Sequence, residues 1–138
     1  MPETSRTALL VEDAPLFRRV LGDYLRQLGF TDIREAPSGN AALQALEEYR
    51  PDLVCLDLVL PDVSGYDLCE FIRGTERLAD VPVLMVSARS SPADRAHADE
   101  AGVTGFLPKP FSQEDFERHV HQVLARVARA RAAAGRGR

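Results

Sequence analysis

Thr7-Ala8-Leu9-Leu10-Val11-Glu12-Asp13 is an apolar run of strand length that stops at two acids. It does not alternate apolar with polar residues. That pattern suits a strand buried on both faces, as in a parallel sheet covered by helices on both sides. A helical pattern follows from Pro15, with Phe17, Val20, Leu21, Tyr24, Leu25 and Leu28 at three- and four-residue spacing and Gly29 at the stop. The same strand-then-helix unit recurs at residues 53–56, which are apolar and stop at Asp57. Strands alternating with helical patterns predict a parallel sheet with crossover helices.

Three more units complete the chain. A short strand is expected at residues 32–36. Ser38 is placed to cap a helix presenting Ala42, Leu43, Leu46 and Tyr49, which Pro51 ends. After Asp57 and the loop of residues 58–65, a helix carries Tyr66, Leu68, Cys69, Phe71 and Ile72. Residues 81–86 form the fourth strand, ending at Ser87, and residues 104–107 the fifth. The helix between them, residues 92–101, offers mainly Ala93, Ala96, Ala98 and Ala101 for burial. It should be held weakly and be free to shift. The last helix starts near Ser112 and turns Phe116, Val120, Val123, Leu124 and Val127 inward.

At 138 residues and 45% hydrophobic content the chain is one domain with a real core. No segment approaches the roughly 20 apolar residues of a membrane span. Residues 1–5 carry no hydrophobic signal, so cytoplasm is the expected location. Cys55 and Cys69 are read as small core residues, and with three His in the chain their spacing offers no zinc site. Residues 122–138 hold five arginines and no acid, whereas residues 1–121 hold twelve basic and twenty-one acidic residues, a charge of −9. Without interleaved aromatics or an apolar face, this tail reads as a solubilising extension. Nucleic-acid or membrane contact is not expected of it. The domain is expected over 1–127, with 128–138 a disordered Arg/Ala/Gly tail.

The chemistry gathers where the strands end. In open parallel sheets ligands bind at the carboxyl ends of the strands. Glu12, Asp13, Asp57, Ser87 and Lys109 all fall there. Lys109 is the only lysine beside sixteen arginines, in Gly105-Phe106-Leu107-Pro108-Lys109-Pro110-Phe111. A compact ammonium is not interchangeable with a planar guanidinium in tight space. Acids brought together raise each other's pKa unless a cation neutralises them, and a hard divalent cation such as Mg2+ suits an all-oxygen site. The expected ligands are Asp13, Asp57 and the backbone carbonyl of Val59, with Glu12 acting through a water. A carboxylate can attack phosphorus to give an aspartyl phosphate. Lys109 and Ser87 would then contact the phosphoryl oxygens.

Together these residues resemble the receiver domains of bacterial two-component response regulators, over about residues 5–127. The resemblance rests on Leu10-Val11-Glu12-Asp13, Leu56-Asp57 with Pro61 and Gly65, Ser87-Ala88, Ala101-Gly102, and Phe106 before Lys109-Pro110-Phe111. Singly these are weak, and their shared order and spacing make the match specific. It implies a doubly wound, five-stranded α/β fold of the flavodoxin-like type, with strand order 2-1-3-4-5. It implies Asp57 as phosphoacceptor, Mg2+ (or Mn2+) at Glu12, Asp13, Asp57 and Val59, and a phosphate-binding Lys109. Ser87 and Phe106 match the switch positions, while Val59 and Arg89 match positions that tune phosphoryl loss. Implied partners are a sensor histidine kinase or histidine phosphotransfer protein, and a target on the face of the fourth helix, fifth strand and fifth helix. The chain would be a monomer or a weak dimer on phosphorylation. No catalysis is implied beyond its own phosphorylation and slow dephosphorylation.

Two departures stand out: Glu12 replaces a more frequent Asp, and Phe106 lacks a Tyr hydroxyl. Phe106 is therefore expected buried in both states, and Arg89 within reach of the phosphoryl oxygens. The competing reading is a receiver-shaped adaptor that only docks partners. A hydrolytic phosphatase would want an acid where Val59 stands. A flavin phosphate would be repelled by Glu12 and Asp13.

Overall fold

The computed structural model describes residues 6–136. Ten main elements alternate: β1 (Arg6–Val11), α1 (Pro15–Gln27), β2 (Phe30–Ala36), α2 (Gly39–Glu48), β3 (Leu53–Asp57), α3 (Gly65–Gly74), β4 (Val83–Ser87), α4 (Pro92–Ala101), β5 (Gly105–Pro108) and α5 (Gln113–Arg136). A 3-10 turn, Glu76–Leu78, lies between α3 and β4. The sheet is parallel throughout, in the order β2-β1-β3-β4-β5. This is the expected doubly wound, flavodoxin-like topology.

The pleat explains the unbroken apolar runs. Successive residues of a strand point to opposite faces, and here each face has its own core. Leu9, Val11, Val54, Leu56, Val83 and Met85 pack with Ala42, Leu46, Leu68, Ile72 and Ala98 from α2, α3 and α4. Ala8, Leu10, Leu53, Cys55, Leu84 and Val86 pack with Leu21, Leu25, Phe116, Val120 and Val123 from α1 and α5. Cys55 and Cys69 are free and buried, and burial pushes their thiols up to about 12 and about 11. The register sets Val11 beside Leu56, Asp57 beside Val86 and Ser87 beside Pro108. The strands therefore end together, on one rim.

Two strands begin two residues away from the sequence reading, and the other bounds agree to within one. β2 begins at Phe30, because Phe30 pairs with Arg6 and is buried in the α1/α5 core. β4 begins at Val83, after Pro82, which has no N–H to give a ladder.

The helix α4 is as thinly anchored as its composition suggests. Only Ala98 and Ala101 are buried, and its N-terminus is closed by a capping box between Ser91 and Asp94. Polar and stacking contacts hold the rest. Tyr66 of α3 stacks on His97 at 3.7 Å and donates its hydroxyl to the Asp94 carbonyl at 3.2 Å. At the other end, the Arg73 guanidinium donates to the carbonyls of Gly102, Ala79 and Val81 and to Thr104 Oγ1, at 2.7–3.1 Å.

The expected disordered tail is instead helical as far as it is described. α5 runs on to Arg136, and Gly137 and Arg138 lie outside the described residues. Alanine and arginine are both strong helix formers, which offsets Gly135. Two tail arginines also find partners: Arg126 donates to the Thr104 carbonyl at 2.7 Å, and Arg131 binds Asp80 at 2.9 Å. Asp80 receives Arg50 as well, at 2.7 Å. Hydrogen bonds from Arg131 and then Arg50 hold its carboxyl down to about 2.

A depressed carboxyl pKa contributes stability above the unfolded value, and that contribution is lost as pH falls through the folded one. Asp80 is more than half exposed, so solvent screens the pair and the effect is local. Between pH 4 and 2, α-carbon shifts of residues 127–134 should move toward coil values, and Asp80→Asn should reproduce this at pH 7. Unchanged shifts in both cases would mean that the helix end holds without Asp80. No helix among the described residues is long and apolar enough to cross a membrane.

Candidate functional site

The rim collects all five residues that the strand ends predict. β1 runs into Glu12, β3 ends on Asp57 and β4 on Ser87, all three buried. Asp13 is exposed beside them. Lys109, just beyond β5, reaches back across the rim. Its ammonium lies 3.0 Å from Glu12 Oε1 and 3.3 Å from Asp57 Oδ2. The peptide bond to Pro110 is cis. The backbone N–H of Lys109 donates to the Ser87 carbonyl at 2.9 Å, which ties its position to β4.

Each acid is held by backbone as well. Glu12 Oε2 accepts the Ala14 N–H at 3.1 Å, and Asp57 Oδ1 accepts the Val59 N–H at 3.2 Å. Burial, more than any other influence, pushes the Glu12 carboxyl above its ordinary value, and the charge on Asp57 adds to this. The Ala14 amide and Lys109 pull the other way without cancelling it. Ser87 Oγ accepts the Arg89 N–H at 3.0 Å. Gly65 permits the close turn beneath Asp57, since a Cβ there would lie 2.6 Å from the Asp57 carbonyl oxygen and 2.8 Å from Leu58 Cα.

The donor set fits a hard cation. Carboxylate oxygens of Glu12, Asp13 and Asp57 lie within 4.8 Å of one another. One ammonium, Lys109, pairs with two of these three acids, so negative charge is in excess, and a hydrated divalent ion suits such oxygens. Mg2+ or Mn2+ is the expected occupant. Val59, two residues after Asp57, is exposed; its carbonyl as a ligand is an expectation from the sequence.

Two predicted residues sit differently from their expected roles. Arg89 is exposed and directs Nη2 toward Asp94 of α4, 3.6 Å away, rather than into the rim. Phe106 is half-buried, with the Arg95 guanidinium 5.1 Å from its ring centroid, rather than sealed in the core. Both differences have one cause. The helix α4 brings its own charged residues to both, Asp94 to Arg89 and Arg95 to the Phe106 ring.

Sequence reasoning missed three supports. The Phe17 ring lies 4.1 Å beneath the Lys109 ammonium and meets Phe111 edge-on at 5.6 Å. It is thus a wall of the site as well as a core residue. Arg18 donates to the Glu12 carbonyl at 2.7 Å and to Glu35 at 2.9 Å, fixing the turn after β1. Asp62 fastens the loop after β3 to α2. The helical stripe in the sequence could have flagged Phe17; nothing in the sequence signals the other two.

Known proteins place this arrangement. Residues 8–121 match the family described as response regulator receiver domain. The chemotaxis protein CheY of Pseudomonas aeruginosa is 36% identical over 119 residues, covering 86% of this chain and 96% of that protein. The transcriptional regulatory protein GltR of the same species is 38% identical over 127 residues, 92% of this chain and 52% of GltR. The chain thus spans about half the length of several curated relatives it matches. Among solved structures, the receiver domain of the sensor histidine kinase PA1611 from Pseudomonas aeruginosa PAO1, with a magnesium ion coordinated in its active site cleft, superposes with a TM-score of 0.79 at 30% identity, covering 88% of this chain and 99% of that one. The chemotaxis response regulator CheY4 of Vibrio cholerae gives 0.81 at 26% identity, covering 87% and 99%. The acidic cluster Glu12, Asp13 and Asp57 is that of a phosphoaccepting, Mg2+-binding signalling switch. Sequence match, sheet order and rim chemistry agree, and the chain belongs to the response regulator receiver domains.

Proposed function

We propose that the chain is a phosphorylation-activated signalling switch that takes a phosphoryl group on Asp57 from a sensor histidine kinase or histidine phosphotransfer protein. The observation that carries this reading is Asp57 itself. It is a nearly buried carboxylate at the end of the central strand, with two further acids and one ammonium around it. An Asp57 carboxylate oxygen attacks phosphorus, the P–N bond to the donor imidazole breaks, and the imidazole leaves with the bonding pair and takes up a proton. Mg2+, when bound by Asp13, Asp57 and the Val59 carbonyl with Glu12 nearby, supplies charge neutralisation and orientation to the phosphoryl oxygens.

The chain's own groups do the rest. The Val59 amide holds Asp57 Oδ1, leaving the carboxylate oriented for attack. The Lys109 ammonium is already 3.3 Å from Oδ2, placed to meet a second phosphoryl oxygen. Exposed, apolar Val59 offers no side-chain polar group to steer a hydrolytic water, which favours a lasting phosphoryl group. Ser87 is the switch. Its hydroxyl moves from the Arg89 amide to a phosphoryl oxygen, and the start of α4 follows. The change is read on the face of α4, β5 and α5, where a downstream protein docks. The adaptor reading is disfavoured because every acid, the acceptor and the lysine are kept.

Ser87→Ala should still accept the phosphoryl group but transmit poorly. Amide NMR with and without beryllofluoride reads this directly. The parent should show shifts across residues 88–107, and Ser87→Ala should confine them to the immediate pocket. Shifts confined to the pocket in the parent as well would favour the passive adaptor.

A further inference from the structure

We infer that Asp62 is a positioning residue, whose carboxylate fastens the β3–α3 loop to the first turn of α2 and thereby keeps the Val59 amide on Asp57. Asp62 Oδ1 accepts the Gly39 N–H at 2.8 Å and the Val63 N–H at 2.9 Å, and Oδ2 accepts the Asn40 N–H at 2.8 Å. Gly39 and Asn40 open α2, so two of the amides that a helix start leaves unpaired are satisfied from another element. The nearer cap, Ser38, takes only the Ala41 N–H, at 3.1 Å. A helix start also favours a negative charge. These amides hold the Asp62 carboxyl below its ordinary value, so it stays charged at neutral pH.

Packing at the same place points to one loop position. A Cβ on Gly39 would lie 2.1 Å from Val63 Cγ2, so only glycine lets the loop tip come this close. The base of the loop is closed separately, by the Gly65 N–H on the Leu58 carbonyl at 2.8 Å and an antiparallel bridge between Val59 and Ser64. Residues 58–64 are thus pinned at the base by their own hairpin and at the tip by Asp62. Val59 belongs to the base bridge, three residues from the tip, with its N–H on Asp57 Oδ1. The base is narrow, one bridge and one backbone hydrogen bond, so release of the tip removes the outer support of that bridge and loosens Val59 on Asp57. The effect on phosphorylation rests on Asp57 being the phosphoacceptor; the clamp does not.

Three variants separate the clamp from simple helix capping. Asp62→Ala removes the tip. Asp62→Asn keeps an accepting oxygen. Ser38→Ala uncaps the same helix without touching the loop. Hydrogen exchange in EDTA needs no metal or phosphoryl group. Protection of the Val59 amide should fall about fivefold in Asp62→Ala, the scale of a lost cap. It should stay at the parent value in Ser38→Ala. With acetyl phosphate and excess Mg2+, the phosphorylation rate of Asp62→Ala should drop about tenfold, as for other groups that orient a site from behind. Asp62→Asn should recover most of both. Parent-like Val59 protection in Asp62→Ala, or an equal loss in Ser38→Ala, overturns the clamp. If the parent itself takes no phosphoryl group, the reading of Asp57 fails, while the exchange result still decides the clamp.

Discussion

Asp57→Asn should take up no phosphoryl group from acetyl phosphate or phosphoramidate, while the parent gains one per chain in Mg2+ and none in excess EDTA. The substitution exchanges one oxygen for an amide nitrogen, so shape is kept and the fold should survive. What is lost is the nucleophile, because a neutral amide does not attack phosphorus. Glu12 and Asp13 are not expected to take over: both lie past the end of β1 rather than at the end of the central strand, and their oxygens are placed to hold the cation. Intact-mass measurement reads the outcome. Phosphoryl uptake that persists in Asp57→Asn, or parent labelling that survives EDTA, would place the acceptor elsewhere.

The next largest effect is expected at Lys109, in two separable parts. Lys109→Met leaves Glu12 and Asp57 buried and facing each other without their cation. Removing one partner of a buried ion pair costs about 3–5 kcal/mol, and partial exposure of this ammonium reduces that to about 2 kcal/mol. The cost depends on pH. Burial already raises the Glu12 carboxyl, and loss of the ammonium raises it further. A raised carboxyl pKa leaves stability intact below the unfolded value and lowers it as pH climbs through the folded one. Denaturant midpoints of parent and variant should therefore nearly coincide near pH 4 and separate toward pH 7, in metal-free buffer. A constant difference across that range would mean that Lys109 stabilises by packing on Phe17 rather than by charge. The second part is signalling: phosphorylated Lys109→Met should not shift α4. Lys109→Arg should not restore it, since a planar fork does not fit where one ammonium sits 4.1 Å above a ring and bridges two acids.

Much of this site could be read from the sequence because a parallel sheet turns chain position into spatial position. Once residues 7–11 and 53–56 are strands buried on both faces, Glu12 and Asp57 must emerge at the same edge. Ser87 and Lys109 follow by the same rule. The strand order came from resemblance, since pattern alone does not say which strands are neighbours. What escaped the sequence depends on contacts that no period encodes. Asp62 reaches the amide of Asn40, 22 residues away, through an ordinary loop carboxylate. Arg89 pairs with Asp94, and no period in the sequence signals that pair. The helical course of residues 128–136 is hard to read from the sequence because Gly135 weakens helix propensity, whereas the anchor of Arg131 at Asp80 lies fifty-one residues back along the chain.

The guanidinium of Arg73 has a consequence for the direction of signalling. It bonds Gly102 and Thr104, just past the last turn of α4, while also holding the carbonyls of Ala79 and Val81. One end of α4 is therefore hung on a fixed post, while a ring stack at mid-helix His97 and a single hydroxyl on the Asp94 carbonyl hold the rest. A helix so mounted swings rather than slides. Over ten residues, about 15 Å, a tilt of about 10° carries the Pro92 end some 2–3 Å, with Gly102 almost still. The arc is widest beside Ser87 and vanishes at Arg73. Shift changes along α4 on beryllofluoride binding should accordingly fade from residue 92 to residue 101, and a uniform change would mean that the post gives way.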